Sequence, residues 1–289
     1  MKHRRSVVVI ALLAAGLVLA PSYALAQAAA QKPAAAQKWD PPKTKDGHPD
    51  IQGYWSQRSD ITTYSIQAGA IDREEHTRLG GQATQFGRPI IDPPHGMLPY
   101  QPWAAERAKF HNEQHRAPQK PEYLDPVSRC FMEGIPRMVY QGGMRILQYP
   151  TYVVFLHEWY HHYRVVYLDG RPPVGENIKL WMGDSRGRWE GNTLVIEVTN
   201  NNDKTWFDIV GGFHSDQMKV TERWTFTSPD TIEYIATVDD PKVFTQPWKL
   251  KVDLGRNKPE EQWESAGCEG NKAVHVAFDL PFEHEAQAK

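Results

Sequence analysis

Residues 181–198 read WMGDSRGRWEGNTLVIEV, and residues 218–226 read MKVTERWTF. In the second segment Met218, Val220, Trp224 and Phe226 share one parity, as in a strand with one buried face. In the first, Leu194, Ile196 and Val198 alternate likewise, and Glu190-Gly191-Asn192 has the composition of a tight hairpin turn. Working outward, residues 144–148, 152–159, 162–168, 232–238, 248–254 and 262–266 are further β-branched, aromatic or alternating runs. Residues 51–56 supply an earlier strand. Turns such as Ser228-Pro229-Asp230 are short and no helical pattern intervenes. Sequential strands joined this way pair antiparallel. About eight of them in succession close into an up-and-down barrel in preference to a sandwich. The expected fold is therefore mainly β, an antiparallel barrel with an irregular Pro-rich N-terminal wrap carrying two short helices.

The N-terminus reads as a secretory signal. Lys2, Arg4 and Arg5 precede an apolar run, 7–20, and Ala24-Leu25-Ala26 offers a small-x-small cleavage site. The run is about 14 residues, short of the roughly 20 a membrane-spanning helix needs, and no second such run follows. Residues 1–26 are expected to be removed, which makes the address periplasmic or extracellular. Cleavage takes three basic residues and no acidic one, so the net charge moves from −2 to −5. That balance argues against a nucleic-acid partner, which requires a basic face. Residues 27–38 are an Ala/Gln-rich tether. Residues 39–137 form the wrap, with its first strand and helices near 70–79 and 103–115. Residues 138–272 are the barrel core, and 273–289 a tail. In an oxidising compartment the two cysteines, Cys130 and Cys268, form one disulfide by default.

Glu222 stands out chemically. It shares the parity of Val220 and Trp224, so its carboxylate points to the apolar side and must be paired there or neutral. Arg164, Arg186 and Arg188 are candidate partners. The stretch His157-Glu158-Trp159-Tyr160-His161-His162-Tyr163-Arg164 is the second cluster. On a flat strand His157, Trp159, His161 and Tyr163 share one face, and Glu158, Tyr160, His162 and Arg164 the other. Two histidines are too few for a metal site, which takes three or four ligands. His111 and His115 lie at i,i+4, but Glu113 is not where a zinc protease places its glutamate, so a solvated helix face is expected. No metal or other cofactor is expected. Asp203, Asp208, His214 and Ser215 crowd one loop without a nucleophile elbow. His214 in an acid–base dyad is the stronger reading.

Several segments resemble a family of uncharacterised secreted bacterial proteins. They are 46–55 (DGHPDIQGYW), 91–99 (IDPPHGMLP), Arg129-Cys130 with Gly134-Ile135-Pro136, 168–172 (LDGRP), 181–194, 220–223 (VTER) and 268–271 (CEGN). The resemblance covers nearly all of the chain after the tether and implies a single conserved domain type, with no activity attached. Relatives in that family often carry Cys-His-Glu where this chain has Cys268-Glu269, so a metal role is not implied at that corner. Gly53-x-Trp55 is in addition similar to the first-strand signature of lipocalin-like (calycin) barrels, where the Trp plugs one end.

The reading that joins these features is a barrel binding a small, largely apolar or aromatic molecule in its interior. Arg164, Arg188, Trp159, Tyr163 and Trp224 are the candidate contacts. An acid–base hydrolase or isomerase on the same cavity would draw on Glu222, His161, Glu158 or His214. A structural envelope protein would have side chains filling the barrel.

Overall fold

The computed structural model describes residues 39–58, 65–67, 89–116 and 118–258. The 218–226 pattern becomes strand β8 (Lys219–Ser228). It pairs antiparallel with β9 (Thr231–Asp239) along nearly its full length. Val220, Glu222, Trp224 and Phe226 face inward from β8, and Ile232, Tyr234, Ala236 and Val238 from β9. Each large apolar side chain buried this way contributes about 1.5–3 kcal/mol. β10 (Trp248–Arg256) continues the alternation beside β9. On the other flank of β8, β7 (Thr193–Thr199) and β6 (Asp184–Glu190) form the hairpin turned at Gly191-Asn192. Gly191 holds φ +60°, which suits a primed hairpin turn. β1 (Gly53–Gln57), β3 (Gly143–Tyr149), β4 (Tyr152–His157) and β5 (Tyr163–Tyr167) complete the wall.

The sheet closes because β1 pairs with both β3 and β10. Nine strands make the ring. β2 (Ile90–Asp92) lies outside it, on the stretch of β10 that β1 does not reach. The antiparallel expectation fails at one junction: β5 and β6 run parallel, through only Val166↔Ser185 and Tyr167↔Arg186. The strand count requires this. Strict up–down alternation around a closed ring needs an even number of strands, so nine leave one like-directed pair. A parallel pair also needs a crossover connection, and residues 168–183 provide it.

The pairings give the barrel two different ends. One carries the tight turns 150–151, 191–192 and 229–230. It is covered by the segment after Trp39, where His48 stacks on Trp189 at 5.4 Å and Trp39 meets Phe226 edge-on at 6.3 Å. Trp55 is buried near this end against Phe226, with the Arg256 guanidinium 4.2 Å over its ring. The other end carries the long connections 158–162, 200–218 and 240–247. It is filled by Phe207, Phe244 and Trp248, by α2 (Arg137–Tyr140), and by α1 (Pro102–Arg116), whose His111 stacks on Trp206 at 4.7 Å. α1 and α2 are the only α-helices among the described residues. The expected helix at 70–79 and strand at 262–266 lie outside those residues. Strand 152–159 stops at His157, two residues early.

Gly187, in the middle of the 181–194 stretch, is a point of close approach. A Cβ there would sit 2.7 Å from Leu168 and 2.8 Å from Val166, so the missing side chain lets β5 lie against β6.

Candidate functional site

Glu222 is completely buried, and both its oxygens are engaged. The Arg164 guanidinium donates through Nη1 to Oε1 at 3.1 Å and through Nη2 to Oε2, and the Tyr234 hydroxyl donates to Oε1 at 2.8 Å. Arg164 Nε donates to Ser185 Oγ at 2.9 Å. The ring of Phe155 lies 5.8 Å below the guanidinium. Burial and the Glu222 charge push the Tyr234 hydroxyl well above its ordinary range, so it stays a donor. A bidentate arginine–carboxylate pair with all partners supplied is the form in which a charge survives inside a barrel. Of the three candidate arginines it is Arg164 that pairs with Glu222. Arg186 binds Asp184 at 2.8 Å, and the exposed Arg188 meets Glu190 and Glu197.

Large side chains pack around the inner side of this pair. Trp224 packs against Phe155 at 4.9 Å and Tyr234 at 4.8 Å, and Val166, Leu194, Ile196 and Val252 close the section. A cavity of about 740 Å³ lies instead at the β5–β6 seam, where the parallel strands part beyond Val166. Arg164 is at its floor; Tyr163, Tyr167, Pro172, Val174 and Trp181 are among its walls. Val174 N donates to Asp184 Oδ2 at 2.9 Å, which fastens the crossover to β6. Every arginine in the cleft has a carboxylate: Arg164 with Glu222, Arg186 with Asp184, Arg171 with Asp169. The cleft is thus electrically balanced and largely apolar.

The second predicted cluster is rearranged. Because β4 ends at His157, parity does not carry through to Tyr163. His157 N donates to His162 O at 2.8 Å, closing a loop in which Tyr160 and His161 take left-handed conformations, φ +53° and +56°. His157 and His161 therefore do not share a face. It is His157 and His162 that converge, on Glu133. Glu133 Oε2 lies 3.3 Å from His157 Nδ1 and 3.8 Å from His162 Nδ1, yet among the described residues neither Glu133 oxygen has a hydrogen-bond donor. Glu133 gave no sign of this in the sequence, since it sits in an irregular stretch 24 residues before His157. His161 and Trp159 are exposed. Glu158 turns its carboxylate to Gly143 N at 3.2 Å. Among the described residues no group of three His, Cys, Asp or Glu is arranged to hold a metal ion.

The 200–218 connection uses its polar residues internally. His214 is buried, with Nε2 2.7 Å from Thr205 Oγ1 and Nδ1 3.0 Å from Ser215 O. Burial lowers its pKa, which keeps the imidazole neutral. Ser215 donates to Asp240 through Oγ at 2.8 Å and N at 2.6 Å. Asp208 accepts Gly212 N at 2.7 Å and Ile66 N at 3.2 Å, and burial pushes its carboxyl up to about 6. His214, Ser215 and Asp208 thus each hold separate partners and form no triad. His111 is also buried, with Nδ1 3.1 Å from Gly211 O, so the solvated helix face expected there is not what forms at His111. Of the cysteines, Cys130 ends a 3-10 turn, and Cys268 lies outside the described residues.

No family model, no curated protein and no solved structure matches the chain.

Proposed function

We propose that this protein is a secreted barrel that binds a small, largely apolar molecule, not at the barrel's centre but in the β5–β6 seam cleft. The observation that carries the reading is the cleft's character. About 740 Å³ falls within the usual range for ligand sites. Its aromatic and proline walls favour an apolar guest, and its paired arginines present no net charge to exclude one. The Arg164–Glu222 pair braces the floor from inside the barrel. The resemblance to secreted bacterial proteins and to lipocalin-like barrels agrees with this role. An exported chain would also carry the Cys130–Cys268 disulfide, which thiol alkylation without reductant tests: recovery of alkylated Cys130 counts against it.

Native mass spectrometry of the protein taken from its own periplasm tests the binding reading. A small-molecule adduct is expected, and it should be lost when Val165→Trp fills the cleft. A bare protein mass, with no thermal shift from any apolar compound in a broad panel, would favour a structural envelope role and overturn the proposal.

A second reading, acid–base catalysis, draws support from Glu133. A buried carboxylate facing two imidazoles is an arrangement that can orient a general base. On this reading Glu133→Gln abolishes turnover of a responsive substrate while leaving the fold intact. Unchanged turnover would remove it.

A further inference from the structure

A second cavity, about 410 Å³, opens beside α1 and the 200–218 connection and shares only Trp181 with the seam cleft. Its chemistry is the reverse of the cleft's. Arg107, Arg129 and Lys204 line it against a single carboxylate, Glu122. Among the described residues none of these three cations makes an ion pair. Each lies instead over an aromatic face. Arg129 is 5.2 Å above Phe131, Phe131 stacks on Trp181 at 4.9 Å and 5°, and Lys204 is 5.9 Å over Trp181. That wall is a four-layer stack with a cation at each end. Opposite, Arg107 lies 4.7 Å over Phe213, and the buried His111–Trp206 stack forms the floor.

Three cations that form no ion pair among the described residues, gathered around flat aromatic surfaces, make a field that attracts an anion and surfaces that receive a ring. Burial lowers the pKa of His111, so the floor stays neutral and adds no further positive charge. Arg129 Nε is sealed from solvent without an acceptor, which fixes the guanidinium by packing alone and leaves its terminal N–H groups uncommitted among the described residues. Charge-assisted hydrogen bonds from such donors are the strong kind. We propose that this pocket is a binding site for a small aromatic carboxylate. Its ring lies against Trp206 and the edge of the Phe131–Trp181 stack, and its carboxylate is held by Arg129 and Lys204, with Arg107 at the rim. The site is independent of the seam cleft and of the ligand proposed there.

Isothermal titration of the whole protein with 2-naphthoate, 2-naphthamide and inorganic sulfate tests this. Saturable binding of 2-naphthoate is expected, weakening as salt rises. The neutral amide, which keeps the ring and loses the charge, should bind at least about ten-fold more weakly. Lys204→Gln removes an exposed ammonium and should weaken 2-naphthoate by about ten-fold without touching the fold, and Arg129→Gln should do the same. Val165→Trp in the seam cleft should leave this binding unchanged, so failure of one site is told apart from failure of the other. No saturable binding of 2-naphthoate, equal binding of the amide, or indifference to both Lys204→Gln and Arg129→Gln would overturn the proposal. Sulfate binding as tight as 2-naphthoate would overturn its aromatic part.

Discussion

Replacing Glu222 by Gln tests the centre of the barrel. The change keeps the volume and the acceptor for Tyr234, but it puts an NH₂ against Arg164 Nη2 where an oxygen now accepts. Two donors then face each other. The guanidinium, 4% exposed, is left without its counter-charge. Breaking one side of a buried pair costs about 3–5 kcal/mol. In a domain of this size that lowers the melting temperature by roughly 10 °C. The double replacement Arg164→Met with Glu222→Leu removes both charges and should return most of the loss, to within about 1–2 kcal/mol of the parent. Urea unfolding of the parent, Arg164→Met, Glu222→Leu and the double variant gives the coupling directly. If Glu222→Gln costs less than about 1 kcal/mol, or the coupling is near zero, the pair is not the brace described here.

The remaining predictions concern the regions around it. Asp208 titrates near 6 when folded and near 3.8 when unfolded, so the folded state holds the extra proton between those values. Stability should therefore fall as pH rises from about 4 to about 6, by up to about 3 kcal/mol, and Asp208→Asn should flatten that part of a stability–pH profile. Gly187→Ala forces a methyl into contact with Leu168 and Val166, and urea midpoints should report a loss of about 1–3 kcal/mol. His161→Gly relieves a left-handed conformation at an exposed position and should stabilise by about 0.5 kcal/mol, read from the same midpoints.

Where the sequence alternates, it could be read; where it does not, it misled. β8, β9 and β10 have one face in the core and one in solvent, so parity alone oriented Glu222, while Arg164, Arg186 and Arg188 stayed equal candidates for its partner. The His-rich run looked like a strand because aromatic and β-branched residues flank it on both sides. Backbone geometry decided otherwise: two successive left-handed residues turn the chain, and no side-chain pattern announces that in residues other than glycine. Glu133 and the 410 Å³ pocket were out of reach for a different reason. They are assembled from the irregular segment before the barrel, from α1 and from the 200–218 connection, and neighbourhood in space leaves no spacing in the chain. β2 is three residues between prolines and carries no periodicity at all.

The location of the seam cleft follows from counting. An even barrel can pair antiparallel throughout, and its walls are then continuous. A ninth strand forces one parallel junction, and a parallel junction forces a crossover long enough to return along the barrel. Residues 168–183 make that return with Pro172, Pro173 and an exposed Ile178, a stretch with few backbone partners for β5 or β6. Only two residue pairs hold the strands together, Val166↔Ser185 and Tyr167↔Arg186, just short of Gly187. A cleft is therefore built in where the ring is weakest, and the Arg164–Ser185 hydrogen bond, 2.9 Å long, ties β5 to β6 across its floor. If that is the reason for the brace, Ser185→Ala should destabilise modestly, by about 1 kcal/mol. It should also raise amide hydrogen exchange in β5 and the crossover selectively, with β8 and β9 unaffected. Uniform exchange across all four segments would mean that the seam is not a separate weak point.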